Sequence, residues 1–254
     1  MPTDGDFQLI HSLTQTEMKE NSFYDYFQKK LAECFIPVKT LRETEDRRIT
    51  LLRHQESGGF FVAREFAGDP AVYRRLMTVS CPHLPRIYEV AEQDGKLLVL
   101  EEYIQGDSLD DLLRYSLLDA RQTRDIALQL CEALWVIHRL GAVHRDVKPE
   151  NILMRGSDAL LIDFDASRIQ KADRRTDTTV LGTTGYAAPE QYGMSQTDAR
   201  TDIYALGVVI NVMLTGEHPS RQLAKGHMGR VVRCCTMMSP DQRYRDIPHL
   251  MEAL

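Results

Sequence analysis

The hydrophobic positions in the first third of the chain form short runs. The runs ITLLRH and GGFFVAREF, within residues 38–66, are rich in β-branched and aromatic residues. The turn Ser57-Gly58-Gly59 between them predicts a β-hairpin. The run LLVLEEYI, residues 97–104, follows the turn signal Asp94-Gly95 and predicts another strand. This part of the chain is therefore expected to be rich in β-structure.

Helical patterns lie on both sides of this region. Residues 16–34 have helical composition, with apolar side chains at fourfold spacing on one face: Phe23, Phe27 and Leu31. From Ser108 onward the chain is predicted to be mostly helical. Asp119 is the expected N-cap of a long helix, Gln122 completes a capping box, and the apolar stripe that follows ends at Gly141.

The very apolar run DIYALGVVINVML, within residues 201–215, predicts a second helix that is largely buried. A β-rich N-terminal part and a helical C-terminal part together indicate an α+β fold with two lobes. We expect an N-terminal extension with a helix at residues 1–37, a smaller lobe at 38–104 and a larger lobe at 105–254. The 254 residues are 43% apolar, which is enough to bury the core of such a protein.

The composition disfavours several classes of protein. The net charge of −6 is opposite in sign to the basic excess of a general nucleic-acid binder. The N-terminal MPTDGDFQLIHSL has neither the basic start nor the long apolar stretch of a signal peptide, and no run is long and apolar enough to span a membrane. The five cysteines have no CxxC spacing and indicate reduced thiols. We therefore expect a cytoplasmic protein with no membrane segment in this chain and no nucleic-acid partner.

Three motifs follow one another in the second half of the chain. HRDVKPEN occupies His144–Asn151, DFD begins twelve residues later at Asp163, and GTTGYAAPE occupies residues 182–190. DFx alone carries no information, but chance does not readily produce all three in this order and at these distances. In these motifs the chain resembles the eukaryotic-type protein kinases, especially their bacterial Ser/Thr members. The resemblance runs from about Val38 to Leu254.

This resemblance implies the bilobal protein-kinase fold, with a small β-rich N-lobe and a larger helical C-lobe. It also implies transfer of the γ-phosphoryl group of ATP to serine or threonine hydroxyls of proteins, with ATP and Mg²⁺ as cofactors. Autophosphorylation in trans, between the two copies of a homodimer, is a further expectation.

The resemblance assigns catalytic roles to four residues. Asp146 would orient the substrate hydroxyl or accept its proton. Lys148, which is the choice of Ser/Thr members at this position, would contact the γ-phosphate. Asn151 and Asp163 would hold Mg²⁺, a cation that prefers oxygen ligands and needs only one or two protein groups.

Four other positions match structural residues of the family. Asp202 matches a buried aspartate that accepts backbone hydrogen bonds from the catalytic loop. Glu190 and Arg243 match a buried ion pair that ties the activation segment to the C-lobe. Thr183 matches a threonine that hydrogen-bonds the catalytic aspartate and lysine.

The resemblance also implies a nucleotide site. Adenine would bind the backbone of Glu102–Ile104, between Ala63 and Leu153, with Ile49 covering the ring. Ser108 and Asp111 are the nearest polar candidates for the ribose. The expected nucleotide-binding residues are Ile49, Ala63, Arg64, Glu101, Glu102, Tyr103, Ile104 and Leu153.

The family's glycine-rich loop falls on residues 41–49, which contain no glycine. Glycines in such a loop let backbone N–H groups approach the phosphates closely. Arg42, Arg47 or Arg48 could supply positive charge in their place, although the acidic residues between them oppose it. The alternative is a solvated, charged hairpin with little role in phosphate binding.

The charged pair of the family's N-lobe is changed as well. Its β3 lysine falls on Arg64, and its helix-C glutamate falls on Val72, which cannot pair with a charge. The gatekeeper position falls on Glu101, and a buried carboxylate needs a partner or must be neutral. We hypothesise that an Arg64–Glu101 pair replaces the usual one. The alternative is that Glu101 turns to solvent or pairs elsewhere.

The residues around the activation segment suggest regulation by phosphorylation. Arg145 precedes the catalytic aspartate, and Arg168 falls where a second basic residue of the same pocket usually lies. Thr179 is at the family's usual primary phosphorylation site, and a phosphate there suits bidentate pairing with arginine. The alternative is that the threonines of this loop are ordinary hydroxyls and that Arg145 pairs with Asp173 or Asp177.

Two functions from different classes are consistent with these residues. An active Ser/Thr kinase is favoured because every C-lobe catalytic residue is intact. A pseudokinase, which binds nucleotide or acts only as a scaffold for partners, is the alternative because the N-lobe residues that contact ATP are altered. A small-molecule kinase is a third reading, and the APE segment argues against it.

Overall fold

The computed structural model of the chain describes residues 23–169, 185–192 and 197–254. It divides the chain into two compact units. The first runs to Ser80 and takes in Pro85–Tyr103, and the second comprises Cys81–Leu84 and Ile104–Leu254. A β-rich first unit and a helical second unit confirm the predicted α+β fold class.

The first unit is a five-stranded sheet with two helices. Its strand order is β1-β2-β3-β5-β4, and each neighbouring pair is antiparallel. In chain order the elements are α1 (Phe23–Cys34), β1 (Phe35–Thr44), β2 (Arg47–His54), β3 (Phe60–Ala67), α2 (Ala71–Leu76), β4 (Ile87–Gln93) and β5 (Lys96–Glu102). The hairpin predicted around Ser57–Gly59 is confirmed as β2–β3, and the predicted N-terminal helix is confirmed from Phe23. Its expected first part, residues 16–22, lies outside the described residues.

Side chains of this sheet divide between two faces. Helix α1 covers one of them, the α1 face, where buried side chains form a core: Phe27, Leu31, Phe35, Leu52, Phe61, Ala63, Tyr88, Ala91, Leu98 and Leu100. Successive residues of a strand point to opposite faces, so Val62 and Arg64 belong to the other face, the Arg64 face. Helix α2 packs on that face, where its Tyr73 ring lies 5.7 Å from the ring of Phe66.

We expect Phe27→Ala to lower the free energy of unfolding by about 3–5 kcal/mol, because the buried ring of α1 would leave a cavity against the sheet. Chemical denaturation measures the change. Phe60→Ala is the control, since this ring on β3 is 43% exposed and should cost much less. Equal losses in the two variants would show that α1 is not part of the folded core.

The second unit is mainly helical. Its helices are α3 (Leu109–Leu113), α4 (Ala120–Arg139), α5 (Ala199–Thr215), α6 (Gly226–Cys235) and α7 (Ile247–Ala253). Short strands form two small sheets, β6-β8-β9 and β7-β10, from β6 (Asp107–Ser108), β7 (Ala142–Val143), β8 (Ile152–Arg155), β9 (Asp158–Leu161) and β10 (Arg168–Ile169). Single 3₁₀ turns occur at Pro149–Asn151, Pro189–Tyr192 and Pro240–Gln242.

The two long helices match their sequence signals. In α4 the Asp119 side chain accepts a hydrogen bond from Gln122 N, and the Gln122 side chain accepts one from Asp119 N, so the predicted capping box is confirmed. Gly141, with φ of 70°, follows the end of this helix. Helix α5 is buried over most of its length, as its apolar sequence predicts. Among the residues that the structure describes, none of the helices is both long and apolar enough to cross a membrane.

Candidate active site

The HRDVKPEN motif forms the loop between β7 and β8, and its backbone is held by Asp202. This residue lies in the first turn of α5 and is fully buried. Its Oδ2 accepts a hydrogen bond from His144 N at 2.9 Å, and its Oδ1 accepts one from Arg145 N at 2.8 Å. The structural role predicted for Asp202 is therefore confirmed.

A residue that the sequence did not single out completes this anchor. His138 Nε2, on α4, lies 2.8 Å from Asp202 Oδ2. Burial by itself raises the pKa of the Asp202 carboxyl, but the hydrogen bond and charge of His138, together with His144 and the N–H of Arg145, hold that pKa below its ordinary value. The carboxylate is thus kept ionised behind the loop, where it accepts the two backbone N–H groups.

The predicted catalytic residues Asp146, Lys148 and Asn151 lie in contact. Lys148 Nζ is 2.7 Å from Asp146 Oδ2, and each of the two side chains is 17% exposed. Asn151 Nδ2 donates to the same Oδ2 and to the main-chain oxygen of Asp146, both at 2.8 Å. A cation and an amide thus fix the orientation of one carboxylate that solvent can still reach.

Asp163 follows β9 in a strained conformation. Its φ is 68°, in the left-handed region that few residues other than glycine adopt. The next residue, Phe164, is buried, and its ring packs edge-to-face against His144 with 5.4 Å between centroids. Burial lowers the pKa of His144 and favours the neutral ring. The backbone strain at Asp163 is of a kind that persists only where the surrounding structure imposes it, and such strain is frequent at functional sites.

The predicted ion pair between Glu190 and Arg243 is confirmed. Arg243 Nη1 lies 2.7 Å from Glu190 Oε1, and Nη2 donates to Oε2 at 2.9 Å, so the pair is bidentate. Both side chains are buried. Thr201 Oγ1 of α5 also donates to Glu190 Oε1 at 2.9 Å. The pair therefore fixes the 3₁₀ turn at Pro189–Tyr192 to the helical unit.

The Arg64–Glu101 pair hypothesised from the sequence is present in the first unit. Arg64 Nε lies 2.7 Å from Glu101 Oε1, and the two side chains are 5% and 4% exposed. The alternative, in which Glu101 turns to solvent, is excluded. The residues lie on neighbouring strands, with Val62 opposite Glu101 in the register, so both charges belong to the Arg64 face. Val72 is buried in α2.

One expected nucleotide-binding residue must be corrected. Ile49 is directly opposite Arg64 in the β2–β3 register and shares its face. Ala63 is the next residue of β3, and its side chain lies in the core of the α1 face. Because the side-chain period of a strand is two, Ala63 cannot line one site with Ile49, Arg64 and Glu101. Val62 is the residue of β3 that shares their face and takes its place.

The segment aligned with the glycine-rich loop is an exposed β-hairpin. Strands β1 and β2 meet at the turn Glu45-Asp46, and Arg48 is the register partner of Glu43. Arg48 Nη2 lies 2.5 Å from Glu43 Oε1, and both side chains are more than half exposed. This contact favours the alternative of a solvated, charged hairpin, at least for Arg48.

The remaining expected nucleotide-binding residues have these positions. Glu102 ends β5, and its Oε2 accepts from Arg86 N at 3.1 Å. The ring of Tyr103 packs against Phe60 at 6.1 Å. In the second unit, Ile104 is buried and Leu153 lies on β8.

The polar candidates for the ribose already have structural partners. Ser108 is the N-cap of α3, and its Oγ accepts from Asp111 N at 3.0 Å. The same hydroxyl donates to Asp111 Oδ2 at 2.7 Å. Both side chains therefore stabilise the start of α3, and their contact with a ribose stays a prediction.

The residues expected to regulate the site are described only in part. Arg168, on β10, is the register partner of Val143 on β7, and Arg145 follows two residues after Val143. Arg145 is buried and has a φ of 71°. The other residues of this hypothesis, together with Thr183, lie outside the described residues: Thr179, Asp173 and Asp177.

Comparison with known proteins places this geometry in a family. The family model described as Protein kinase domain matches residues 72–251. The match begins after the missing glycine-rich loop and Arg64, and it includes two other departures from the kinase pattern, Val72 and Glu101.

Several similar proteins are bacterial Ser/Thr kinases. Serine/threonine-protein kinase PknD of Mycobacterium tuberculosis is 36% identical over 190 residues, which cover 70% of this chain and 28% of PknD. Serine/threonine-protein kinase pkn2 of Myxococcus xanthus is 34% identical over 179 residues, 67% of this chain and 21% of the relative. Serine/threonine-protein kinase D of Synechocystis is 31% identical over 195 residues, 67% of this chain and 38% of the relative. The chain thus spans well under half the length of these relatives, and by its match over residues 72–251 it belongs to the protein kinase family.

Proposed function

We propose that this chain is an ATP-dependent protein kinase that phosphorylates serine and threonine hydroxyls of proteins. The observation that carries the proposal is the contact of Asp146 with Lys148 Nζ and Asn151 Nδ2, in a loop that Asp202 holds by its backbone. The names of the bacterial relatives, all Ser/Thr-protein kinases, support the same activity.

Asp146 and Lys148 would act on different groups, Asp146 on the substrate hydroxyl and Lys148 on the transferred phosphoryl group. The carboxylate of Asp146 would accept a hydrogen bond from the substrate hydroxyl, orient it, and take its proton as the new P–O bond forms and the bond between the γ-phosphorus and the oxygen of the leaving ADP breaks. Lys148, whose ammonium lies beside that carboxylate, would stabilise the negative charge on the transferred phosphoryl oxygens. Phosphoryl transfer needs little more from the protein than positioning and charge stabilisation.

The donor atoms of Asn151 and Asp163 fit Mg²⁺. Both side chains offer hard oxygen ligands, and Mg²⁺ needs only one or two protein groups besides water and phosphate. The nitrogen of the Asn151 amide donates to Asp146, so its oxygen faces away from Asp146. Bound Mg²⁺ supplies positive charge that neutralises the phosphates of ATP.

ATP contacts in this proposal come from both lobes. Arg64, held by Glu101, would donate to the phosphates, since a guanidinium can bind two oxygens at once. The backbone of Glu102–Ile104 would bind the edge of adenine. Side chains of Ile49, Val62 and Leu153 would supply its apolar contacts.

The proposed organisation is an extension at residues 1–37, the kinase N-lobe at 38–104 and the C-lobe at 105–254. We place the protein in the cytoplasm, with protein substrates, no nucleic-acid partner, and a homodimer for autophosphorylation in trans.

Incubation with radiolabelled ATP and Mg²⁺ tests the activity. Label is expected on serine or threonine of the chain itself or of a generic protein substrate, and its loss with EDTA is the control. If the chain binds ATP but transfers no label, the pseudokinase alternative replaces this proposal.

We further propose that phosphorylation of Thr179 activates the kinase through Arg145 and Arg168. A phosphothreonine brings about −1.5 to −2 charges, which suit pairing with two arginines. After incubation with ATP, mass spectrometry should find phosphate on Thr179, and Thr179→Ala should lower kcat more than it changes the KM for ATP. An unphosphorylated loop, with full activity in Thr179→Ala and Arg145→Ala, would contradict this regulation.

A further inference from the structure

Gln191 connects the segment after the activation loop to the catalytic loop. It lies in the 3₁₀ turn Pro189–Tyr192 and is 1% exposed. Its Oε1 accepts a hydrogen bond from Ala188 N at 3.0 Å, and its Nε2 donates to the main-chain oxygen of Arg145 at 2.8 Å. Both bonds are buried, where a main-chain carbonyl that lost its donor would have no water to replace it.

The carbonyl that Gln191 binds belongs to a strained residue. Arg145 has a φ of 71°, a strained conformation for a residue other than glycine. Its N–H donates to Asp202 Oδ1 at 2.8 Å, and its C=O accepts from Gln191. Side chains from two separate elements therefore hold this residue, which directly precedes Asp146.

The hydrogen bonds that close the turn of Gln191 do not involve its side-chain nitrogen. Gln191 N donates to Ala188 O at 2.9 Å, and Ala188 N donates back to the side-chain oxygen. Those two bonds close the turn without the amide nitrogen. The nitrogen instead reaches Arg145, which is distant in sequence, so its bond links two segments of the unit.

We propose that Gln191 is a positioning residue for phosphoryl transfer. By holding the Arg145 carbonyl, it keeps the catalytic loop in the strained conformation that orients the Asp146 carboxylate. The same bond makes the orientation of Asp146 depend on the placement of residues 185–192. This inference rests on the proposed kinase activity and names a residue that acts through Arg145, not on substrate directly.

Gln129 provides a matched control elsewhere in the same unit. Its Oε1 accepts from Ala159 N at 2.7 Å, and its Nε2 donates to Ser157 O at 3.1 Å. It thus bonds one backbone N–H and one backbone C=O, as Gln191 does, but between α4 and the β8–β9 hairpin. Gln191→Met and Gln129→Met remove the same kinds of hydrogen bond at similar side-chain volume, and the Gln129 bonds are the less buried of the two pairs.

Steady-state kinetics of the two variants test the proposal. Gln191→Met is expected to lower kcat about 10- to 100-fold, because small misplacement of a catalytic group costs factors of this size. Its KM for ATP should stay within about twofold of the wild type, since no expected nucleotide contact changes. Gln129→Met should leave both parameters unchanged. A Gln191→Met variant with wild-type kcat overturns the proposal.

Gln191→Glu separates the two hydrogen bonds of the amide. An ionised carboxylate still accepts from Ala188 N but cannot donate to the Arg145 carbonyl. The proposal therefore expects Gln191→Glu to lose kcat as Gln191→Met does. Wild-type kcat in Gln191→Glu, with a low value in Gln191→Met, assigns the effect to the turn and overturns the role of Arg145.

Hydrogen–deuterium exchange supplies a readout that needs no turnover. Peptides that cover residues 144–147 should exchange faster in Gln191→Met than in the wild type, and at the wild-type rate in Gln129→Met. Unchanged exchange in Gln191→Met overturns the proposal, even if kcat falls. If the wild type shows no turnover, the proposed function fails, and exchange alone decides whether Gln191 holds the catalytic loop.

Discussion

Asp146→Ala is expected to lower kcat by about 10²–10⁴-fold while the affinity for Mg²⁺–ATP stays within about twofold of the wild type. The size follows from the usual contribution of a positioned proton acceptor. Nucleotide affinity is preserved because the expected contacts of ATP come from other residues. Transfer from radiolabelled ATP measures kcat, and isothermal titration calorimetry measures affinity.

Two further variants define the cause of that loss. Asp146→Asn keeps the size of the side chain and can still accept from Lys148 and Asn151, but its amide is not a base, so it should be nearly as inactive as alanine. Asp163→Ala should instead abolish the Mg²⁺-dependent part of nucleotide binding. Asp158→Ala, at the exposed first position of β9, is the control with unchanged kinetics. Wild-type turnover in Asp146→Asn would rule out a role for Asp146 as base.

A single motif that resembles kinases was enough to predict the contacts within the catalytic loop, because those contacts are local. Asp146, Lys148 and Asn151 lie within six residues of one another, and their contacts span at most five residues of chain. The capping box of α4 is local in the same way. Asp202 and the Glu190–Arg243 pair are distant in sequence and were found only through the resemblance to kinases.

Long-range contacts without a motif were missed. His138 looks in sequence like one more polar position of an amphipathic helix, and Gln191 like an ordinary residue after a proline. Each acquires its role only when folding brings it against Asp202 or Arg145. The sequence signal at His138 and Gln191 was their position near a recognisable motif, and position alone does not identify the residue that each one contacts.

Ala63 shows what alternation along a strand decides and what only the observed pairing can add. Placing both Ala63 and Arg64 in one site requires neighbouring residues of a strand to share a face, which alternation forbids. The pairing of Ile49 with Arg64, and of Val62 with Glu101, decides the face for all four residues. The sequence alone could not show that α1 covers the opposite face, since helical composition does not specify where a helix packs.

The buried Arg64–Glu101 pair leads to an expected effect on stability as large as that of Phe27→Ala. Glu101→Leu and Arg64→Met should each lower the free energy of unfolding by about 3–5 kcal/mol, because each leaves one charge buried without its partner. The double variant should regain most of that stability, since two apolar side chains of similar volume remove both desolvation costs together. Chemical denaturation of the four proteins gives the coupling energy directly.

Arg48→Met is the matched control for the same chemistry at the surface. Arg48 and Glu43 also form an arginine–glutamate pair, but both side chains are more than half exposed and solvent screens their charges. Its removal should change the free energy of unfolding far less. If the loss in the double variant Arg64→Met/Glu101→Leu equalled the sum of the two single losses, the two charges would not be coupled.

The double variant also separates stability from nucleotide binding. It should fold, yet bind Mg²⁺–ATP about tenfold or more weakly, because a charge-assisted hydrogen bond to phosphate contributes roughly 1.5–3 kcal/mol. Arg64→Lys should retain more affinity than Arg64→Met, since it keeps the charge but loses the two-pronged donor. Unchanged affinity in the stable double variant would exclude Arg64 from the phosphate site and leave the pair a purely structural element of the sheet. Weakened affinity would instead support Arg64 as the phosphate-binding cation. Its carboxylate partner is then Glu101 on the neighbouring strand β5 and not a residue of α2, where Val72 offers no charge.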